Sequence, residues 1–578
     1  MAIIDPASKV TYQDIQTDLL EALEDVVLNR NDEAANRLIA MAGEYANTDA
    51  NNSSVVPTSV QRPDSVDDRL ILALRTGDES HLDADLTEAL SIYSSANAIV
   101  EGPLMRGMET VGKLFEIGKM FLPQVVRSAR VMHKAVEFLS PYLDKSSSGK
   151  CKGRFLIATV KGDVHDIGKN IVDVVLRCNN FDVLDLGVQV DAATIVDAAK
   201  KYTPDFIGLS GLITPSLNEM AVTAKALADA GIEVPIFVGG AATSADHTAL
   251  KIAPNYPGVV VRVSDAAQNP VIASRLLLDP EAEIANIRQE QSRICEKYDN
   301  TINIELSSST KSFVIDWDAE KKAGNIARPS FIGAKTIEPI SVEKVIPFIN
   351  WAFFYGCWKV SPGSEEAKTI RSDADNILSE LIAANAKMNA RVAFYEAYSK
   401  GDSVVAVVGN KTYNIVMSRQ RKSDTQSVCL SLADFIAPQG YGDHIGCFVV
   451  TIGETIRQMI ARAVAEGDDY RTILIKSVCD RLAEATSELV HYLTRTMYWA
   501  YSPDEKCDFE QFRHYNYQGI RPAIGYPSLP DQNLMHTLSR MITPGEIGVE
   551  VTVNGALNPS SSIAGFYFAS PHAHYFAI

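Results

Sequence analysis

The segment Lys161-Gly162-Asp163-Val164-His165-Asp166-Ile167-Gly168-Lys169-Asn170 sets an imidazole between two carboxylates and two glycines. A histidine side chain can ligate a transition metal through one ring nitrogen. Its other nitrogen then needs an orienting acceptor, and Asp163 stands two residues before His165. The loop follows an apolar run, 155–160, and precedes a helical pattern. In a doubly wound sheet that place is the carboxyl end of a strand, where ligands bind. The same residues could also do no more than cap the helix or tie the loop. Two further segments carry glycines after apolar runs, Gly208-Leu209-Ser210-Gly211-Leu212-Ile213-Thr214-Pro215-Ser216 and Val238-Gly239-Gly240-Ala241-Ala242-Thr243. Glycine at a strand end either admits a bulky group close to the backbone or serves tight helix–sheet packing.

These loops need a parallel sheet to align them. Short, nearly continuous apolar runs at 155–160, 183–186, 206–209, 236–238 and 259–263 alternate with amphipathic helical stretches. Runs apolar on both faces suit buried parallel strands, so a five-stranded doubly wound α/β domain is expected over about 152–280, within a unit of 150–297 that ends in a charged helix at 282–297. Before it, helical periodicity at 11–29, 32–45, 66–75, 85–95, 103–117 and 123–143 predicts a bundle over 1–146, with proline in the first turn of the last two helices. Ser146-Ser147-Ser148-Gly149 reads as a flexible linker and 298–335 as a polar connector. From 336 to 578 the pattern is α+β, dominated by a helix over 470–499.

The chain has 578 residues, 46% hydrophobic and 22% charged, which predicts several globular domains. A net charge of −18 argues against a protein that tracks nucleic-acid phosphates. The sequence shows neither a signal segment nor a membrane-length apolar run, and its 8 cysteines stand singly with no zinc spacing. A cytoplasmic protein that engages neither nucleic acid nor membrane is expected.

Asp163-x-His165-x-x-Gly168 resembles the cobalamin signature of methionine synthases and their relatives, and the two glycine segments match the same family. The resemblance implies cobalamin, carried as methylcobalamin, with the free histidine His165 as lower cobalt ligand in place of the cofactor's own base. It implies a relay through Asp163 and Ser216, contacts from Ser210 and Thr214 to a buried nucleotide tail, and further contacts at Gly162, Val164, Asp166, Gly168, Gly239, Gly240 and Ala266. The run from Glu101-Gly102-Pro103 to Phe121-Leu122-Pro123-Gln124-Val125 resembles the helical cap of that family. There Phe115, Leu122 and Val125 would shield the upper face of the corrin and Glu101 would bond its rim; for any single apolar residue, core packing explains as much.

Asp480-Arg481-Leu482-Ala483-Glu484-Ala485 and Arg521-Pro522-Ala523-Ile524-Gly525-Tyr526-Pro527 resemble the activation domain, which binds S-adenosylmethionine as reactivation methyl donor. A sulfonium with an amino-acid tail calls for an arginine on its carboxylate and acids at its cationic end, roles that suit Arg521 and Glu484. Ala523, Tyr526, Tyr575 and Phe576 fall at binding positions of the family, Phe576 where a second tyrosine is common. Asn350 stands where the family has an acid, which implies a weaker hold on the charged ligand.

The resemblance covers residues 12–578. It implies a methyltransferase acting from methyltetrahydrofolate to homocysteine, with the modules for those two substrates, and the zinc of the homocysteine module, missing or supplied in trans. A flavodoxin-like electron donor is the implied redox partner. The alternatives are a stand-alone corrinoid methyl carrier and a cobalamin-dependent sensor, neither of which needs the 521–526 segment.

Overall fold

The computed structural model of the protein describes residues 62–116, 119–142, 151–301, 311–420 and 428–578. The helices expected at 11–29 and 32–45 and the linker 146–149 lie outside those residues.

The helical region comprises α1 (Val66–Thr76), α2 (Leu82–Ile92), α3 (Met105–Glu116) and α4 (Leu122–Leu139). Their apolar stripes meet in one core through Leu70, Leu74, Leu86, Val111, Val126 and Val131, all nearly inaccessible. Helix α4 ends at Leu139, short of the expected 143, where Ser140–Tyr142 tightens into a separate turn, and two other helices are displaced from the sequence pattern. The second helix spans 82–92 rather than 85–95, because Tyr93 is extended and Ser95 caps the next turn by accepting from Ala98 N. The third begins at Met105 rather than Pro103, because Gly102 takes a non-helical conformation (φ −89°, ψ −105°) and Pro103 lacks the amide that would continue the ladder.

The α/β region is a five-stranded parallel sheet in the order β2-β1-β3-β4-β5: β1 (Arg154–Thr159), β2 (Asp182–Asp185), β3 (Phe206–Ser210), β4 (Ile236–Gly239) and β5 (Val260–Arg262). The connecting helices are α5 (Ile167–Cys178), α6 (Ala192–Tyr202), α7 (Thr214–Asp229) and α8 (Gln268–Leu278), and α9 (Pro280–Thr301) leads out. Alternate residues of each strand feed separate cores on the two faces. Leu156, Ala158 and Ile207 face one; Phe155, Phe206 and Phe237 face the other, with Phe155 and Phe206 stacked 4.8 Å apart. That two-sided burial is why the runs read as continuous rather than alternating.

The stretch expected as a connector folds onto the C-terminal region. Asp316 caps α10 (Trp317–Ala323), Gly324 closes it at φ +78°, Ser330 bonds the Tyr498 carbonyl through its amide and hydroxyl, and Trp499 Nε1 donates to the Ala327 carbonyl. Polarity marks the solvent side of this segment; the aromatic anchors that hold it come from distant sequence.

The C-terminal region is built on a six-stranded antiparallel sheet in the order β9-β8-β7-β10-β13, with β6 also pairing β7: β6 (Gly333–Ser341), β7 (Lys387–Lys400), β8 (Ser403–Val408), β9 (Lys411–Val416), β10 (His444–Ile452) and β13 (Ser562–Tyr567). The ribbon β11 (Glu550–Val551) and β12 (Leu557–Asn558) precedes β13. Helices α11 (Trp351–Cys357), α12 (Glu365–Ala383), α13 (Glu454–Ala465), α14 (Asp469–Leu493) and α15 (Leu534–Ile542) cover the sheet. Helix α14 is buried along most of its length, as its apolar density predicts, and continues as a wider turn over Thr494–Tyr498.

Helix α4 of the helical region packs against both α5 and α14. Arg127 on α4 pairs with Asp373 and lies 3.3 Å from the Tyr470 hydroxyl, and Arg130 is 3.5 Å from Asp468. Gly112 on α3 lets that helix lie on the end of α5, since a Cβ there would stand 2.8 Å from Asn179 Oδ1. Among the described residues, no helix is long and apolar enough to cross a membrane.

Candidate functional site

Strand β1 ends beneath the loop 161–166, and its neighbour β3 delivers the partners that organise it. Asp163 is completely buried. One carboxylate oxygen lies 2.7 Å from His165 Nδ1 and 3.1 Å from His165 N; the other accepts from Leu212 N at 2.7 Å, Ile213 N at 3.3 Å and Ser216 Oγ at 2.6 Å. Burial alone would raise its pKa. The bond and charge of His165, then Ser216 and the Leu212 amide, outweigh burial and bring the group down to about 2. Asp163 therefore fixes the tautomer and aim of the imidazole, leaving Nε2 without a protein partner among the described residues. Asp163→Asn presents an amide to donors that need an acceptor. Urea unfolding of the apo chain is expected to show a loss of about 3 kcal/mol; a variant as stable as wild type would remove this organising role.

His165 lines a cavity of about 510 Å³. Its floor is the carboxyl edge of the sheet, with Gly168, Gly208, Ser210, Gly239, Gly240 and Ala266, and Asp166 also lines it. The glycines are of two kinds. A Cβ on Gly168 would meet nothing within 4 Å, and one on Gly239 would meet only the Val263 carbonyl at 3.9 Å, so these two keep space open. Gly240, at φ +120°, answers to backbone instead, since a Cβ there would stand 1.9 Å from Gly211 O. An imidazole with a free nitrogen beside an open, glycine-floored slot suits a metal-centred cofactor with a long tail, and these residues fit cobalamin on that ground.

The opposite side of the cavity comes mainly from the C-terminal region, through Cys357, Lys359, Asp480 and Ser560; the helical region contributes Phe115 and Leu122. Val125 is buried in the helical core and does not reach the cavity, because it falls on the inward stripe of α4. Glu101 sits in the turn Val100–Leu104, and its side chain is outside the described residues. Gly162, Asp163 and Val164, within the loop, and Ser216, which bonds Asp163 from behind it, do not line the cavity.

A second cavity, of about 390 Å³, shares His165 and Asp480 with the first and is also lined by Thr214, Glu484, Ala523 and Tyr526. A third, of about 260 Å³, takes in Glu484 and Tyr526 again and adds Asn350, Phe353, Glu488, Phe512, Tyr515 and Arg521. Asp480, Glu484 and Glu488 are spaced by four along α14 and so form one acidic stripe that visits all three cavities. Asp480 and Glu488 were not singled out by sequence reasoning; the spacing within Asp480-Arg481-Leu482-Ala483-Glu484-Ala485-Thr486-Ser487-Glu488 is the signal that could have found them.

Arg521 spends one edge of its guanidinium on Glu488, with Nη2 at 3.0 Å and Nε at 3.3 Å from the same oxygen. Its Nη1 stands 3.9 Å from Glu484, too far for a hydrogen bond. Burial works against the charge, and Glu488 with the neighbouring tyrosines more than restores it, so the group stays protonated. Beneath them the fully buried Arg495 makes a two-pronged contact with Glu505, 2.8 and 2.7 Å, and lies 3.7 Å from Glu488. Tyr526 donates to Glu484 at 2.5 Å, and the Tyr575 hydroxyl accepts from Arg521 N at 3.0 Å. Asn350 caps α11 by accepting from Ala352 N. The Phe576 ring turns away toward Phe435, 6.2 Å between centroids, and neither it nor Tyr575 lines the third cavity.

Three segments match protein-family models. Residues 66–140 and 153–271 each match a B12 binding domain, and residues 341–578 match the activation domain of vitamin B12 dependent methionine synthase. Among solved structures, the MetH reactivation domain bound to AdoHcy is 29% identical over 46% of this chain and 86% of that one, with a TM-score of 0.42. The methanol:cobalamin methyltransferase complex MtaBC from Methanosarcina barkeri is 28% identical over 40% of this chain and 88% of that one, TM-score 0.36. A cobalamin-binding protein from Desulfitobacterium hafniense DCB-2 is 26% identical over 36% of this chain and 97% of that one, TM-score 0.29. The chain thus carries two segments that match B12 binding domains, followed by one that matches the activation domain of vitamin B12 dependent methionine synthase.

Proposed function

We propose that the chain holds methylcobalamin for methyl transfer from methyltetrahydrofolate to homocysteine, and that its C-terminal region restores the inactive cofactor with S-adenosylmethionine. The observation that carries this reading is the run of three cavities with shared linings, from His165 past Asp480 and Glu484 to Arg521. Cobalamin, when bound, supplies a cobalt centre able to accept and give up a methyl group. His165 would hold it from below through Nε2, with Asp163 and Ser216 as positioning residues that keep the ring aimed.

In this arrangement residues of the activation region line the cavity together with His165, while the helical region lines it through Phe115 and Leu122. That is the order needed for a methyl donor held on the activation side. Arg521 would take the donor's carboxylate on its unspent Nη1 edge, and Glu484 would lie near the donor's amino group. Asn350 lines the same cavity without a charge. For methyl transfer the helical region would have to cover the cavity instead, so at least two arrangements are required. The homocysteine and methyltetrahydrofolate modules and a flavodoxin-like electron donor would act as partners.

The test is His165→Gly in the cobalamin-loaded chain. The absorbance features that depend on imidazole ligation are expected to vanish while cobalamin stays partly bound. An unchanged spectrum would remove His165 as the lower ligand.

A further inference from the structure

The turn between β11 and β12 leaves the C-terminal region and touches the loop that carries His165. It is a stiff turn. Thr552 N donates to Ala556 O at 2.9 Å, Gly555 N to Thr552 O at 3.0 Å, and Ala556 N to Thr552 Oγ1 at 3.0 Å. Its back is braced near α15, where Gln532 Nε2 donates to Gly555 O at 2.6 Å and His536 Nε2 lies 3.2 Å from Val553 O. From this base two side chains reach forward. Thr552 Oγ1 donates to Gly162 O at 2.7 Å, and Asn554 Nδ2 donates to Lys161 O at 2.7 Å. Both targets are backbone carbonyls immediately after β1, and neither has another donor among the described residues. Gly162 is the matching vacancy: a Cβ on it would fall 2.4 Å from Asn554 Nδ2. The other end of the loop is held from the same side, by Lys476 on α14 at 2.5 Å from Asp166.

We propose that Thr552 and Asn554 form a docking finger that reads the carbonyls of Lys161 and Gly162 and sets where the activation region comes to rest over His165. Neither residue lines any of the three cavities, so neither touches cofactor or methyl donor. They are positioning residues, acting through a loop whose next member is Asp163. The pairing is specific because backbone carbonyls accept only from donors, and the slot admits the Asn554 side chain only where residue 162 has none. The finger also explains a glycine at 162 beyond its φ of +74°.

This inference rests on the reading that the activation region acts at His165, yet its test needs no cofactor. Amide hydrogen exchange is followed in the full chain without cobalamin, over peptides spanning 161–166 and 552–556. Asn554→Asp keeps the size of a half-buried side chain but turns an acceptor toward the Lys161 carbonyl. Exchange at both peptides is expected to rise about tenfold, with no change in α14 or β10. Thr552→Val should act in the same direction, and Thr552→Ser, which keeps the hydroxyl, should restore wild-type exchange. Val553→Ala, at a side chain 70% exposed, should change nothing. Wild-type exchange at 161–166 in Asn554→Asp overturns the proposal. So does a rise spread through the whole C-terminal region, which would mark a merely structural role. Failure of the His165→Gly test with this exchange pattern intact would leave the finger standing and remove only the cofactor role.

Discussion

Arg521→Ala is expected to weaken S-adenosylmethionine binding by on the order of 100-fold, because truncating one partner of a buried charge contact commonly costs 2–5 kcal/mol. The arrangement around Arg521 explains why so much should rest on one residue. Glu488 occupies Nε and Nη2, which fixes the plane of the guanidinium and leaves Nη1 and its donors facing Glu484 and the cavity. A ligand carboxylate would meet a donor edge already oriented. The variant also strips Glu488 of its nearest cation, leaving Arg495 at 3.7 Å, so some loss of stability is expected alongside. Arg521→Lys separates the two effects. It keeps a charge beside Glu488 and loses the planar fork, and should bind with intermediate affinity at near-normal stability. Calorimetric titration of the full chain with S-adenosylmethionine is the measurement. Wild-type affinity in Arg521→Ala would detach the third cavity from the methyl donor.

What was legible in the sequence divides along the distance over which each feature is encoded. The His165 loop was legible because its ring acceptor, Asp163, lies two residues away and its helix begins at Ile167. The parallel sheet was legible because burial on two faces writes an uninterrupted apolar run for each strand. The acidic stripe of α14 was partly legible: the motif that opens at Asp480 gave Glu484 a role, whereas Asp480 and Glu488 join it on one face only once the helix is wound. Cys357 and Lys359 at the cavity wall, and the finger at Thr552 and Asn554, were not legible at all. The finger contacts span 390 and 393 positions, and a threonine or asparagine in a turn carries no mark of a distant carbonyl. Val125 illustrates the converse limit. It lies one helical turn from Leu122, but Leu122 at the helix start reaches the cavity edge while Val125 turns into the core. Which of two buried apolar neighbours also lines the cavity depends on how the whole helix is seated.

Gly168→Ala is expected to separate the cofactor from the fold more cleanly than any other single change. Gly168 lines the cavity beside His165, lies in the first turn of α5, and would place an added methyl in space that no protein atom approaches within 4 Å. The apo chain should therefore fold with undiminished stability, gaining up to about 1 kcal/mol from the better helix former. If the open volume over Gly168 belongs to the cofactor, the same methyl becomes overpacking in the loaded protein. A clash of that kind costs about 1–3 kcal/mol, or roughly five- to 150-fold in cobalamin affinity. Gly240→Ala supplies the contrast. Its methyl would run into the Gly211 carbonyl at a backbone angle that alanine resists, so it should destabilise the apo chain itself by about 3 kcal/mol. Thermal unfolding without cofactor and equilibrium titration with it, on both variants, distinguish a glycine kept for a ligand from one kept for the backbone. Full cobalamin affinity in Gly168→Ala would mean that the cofactor does not use this side of the cavity, and the placement over His165 would fall with it.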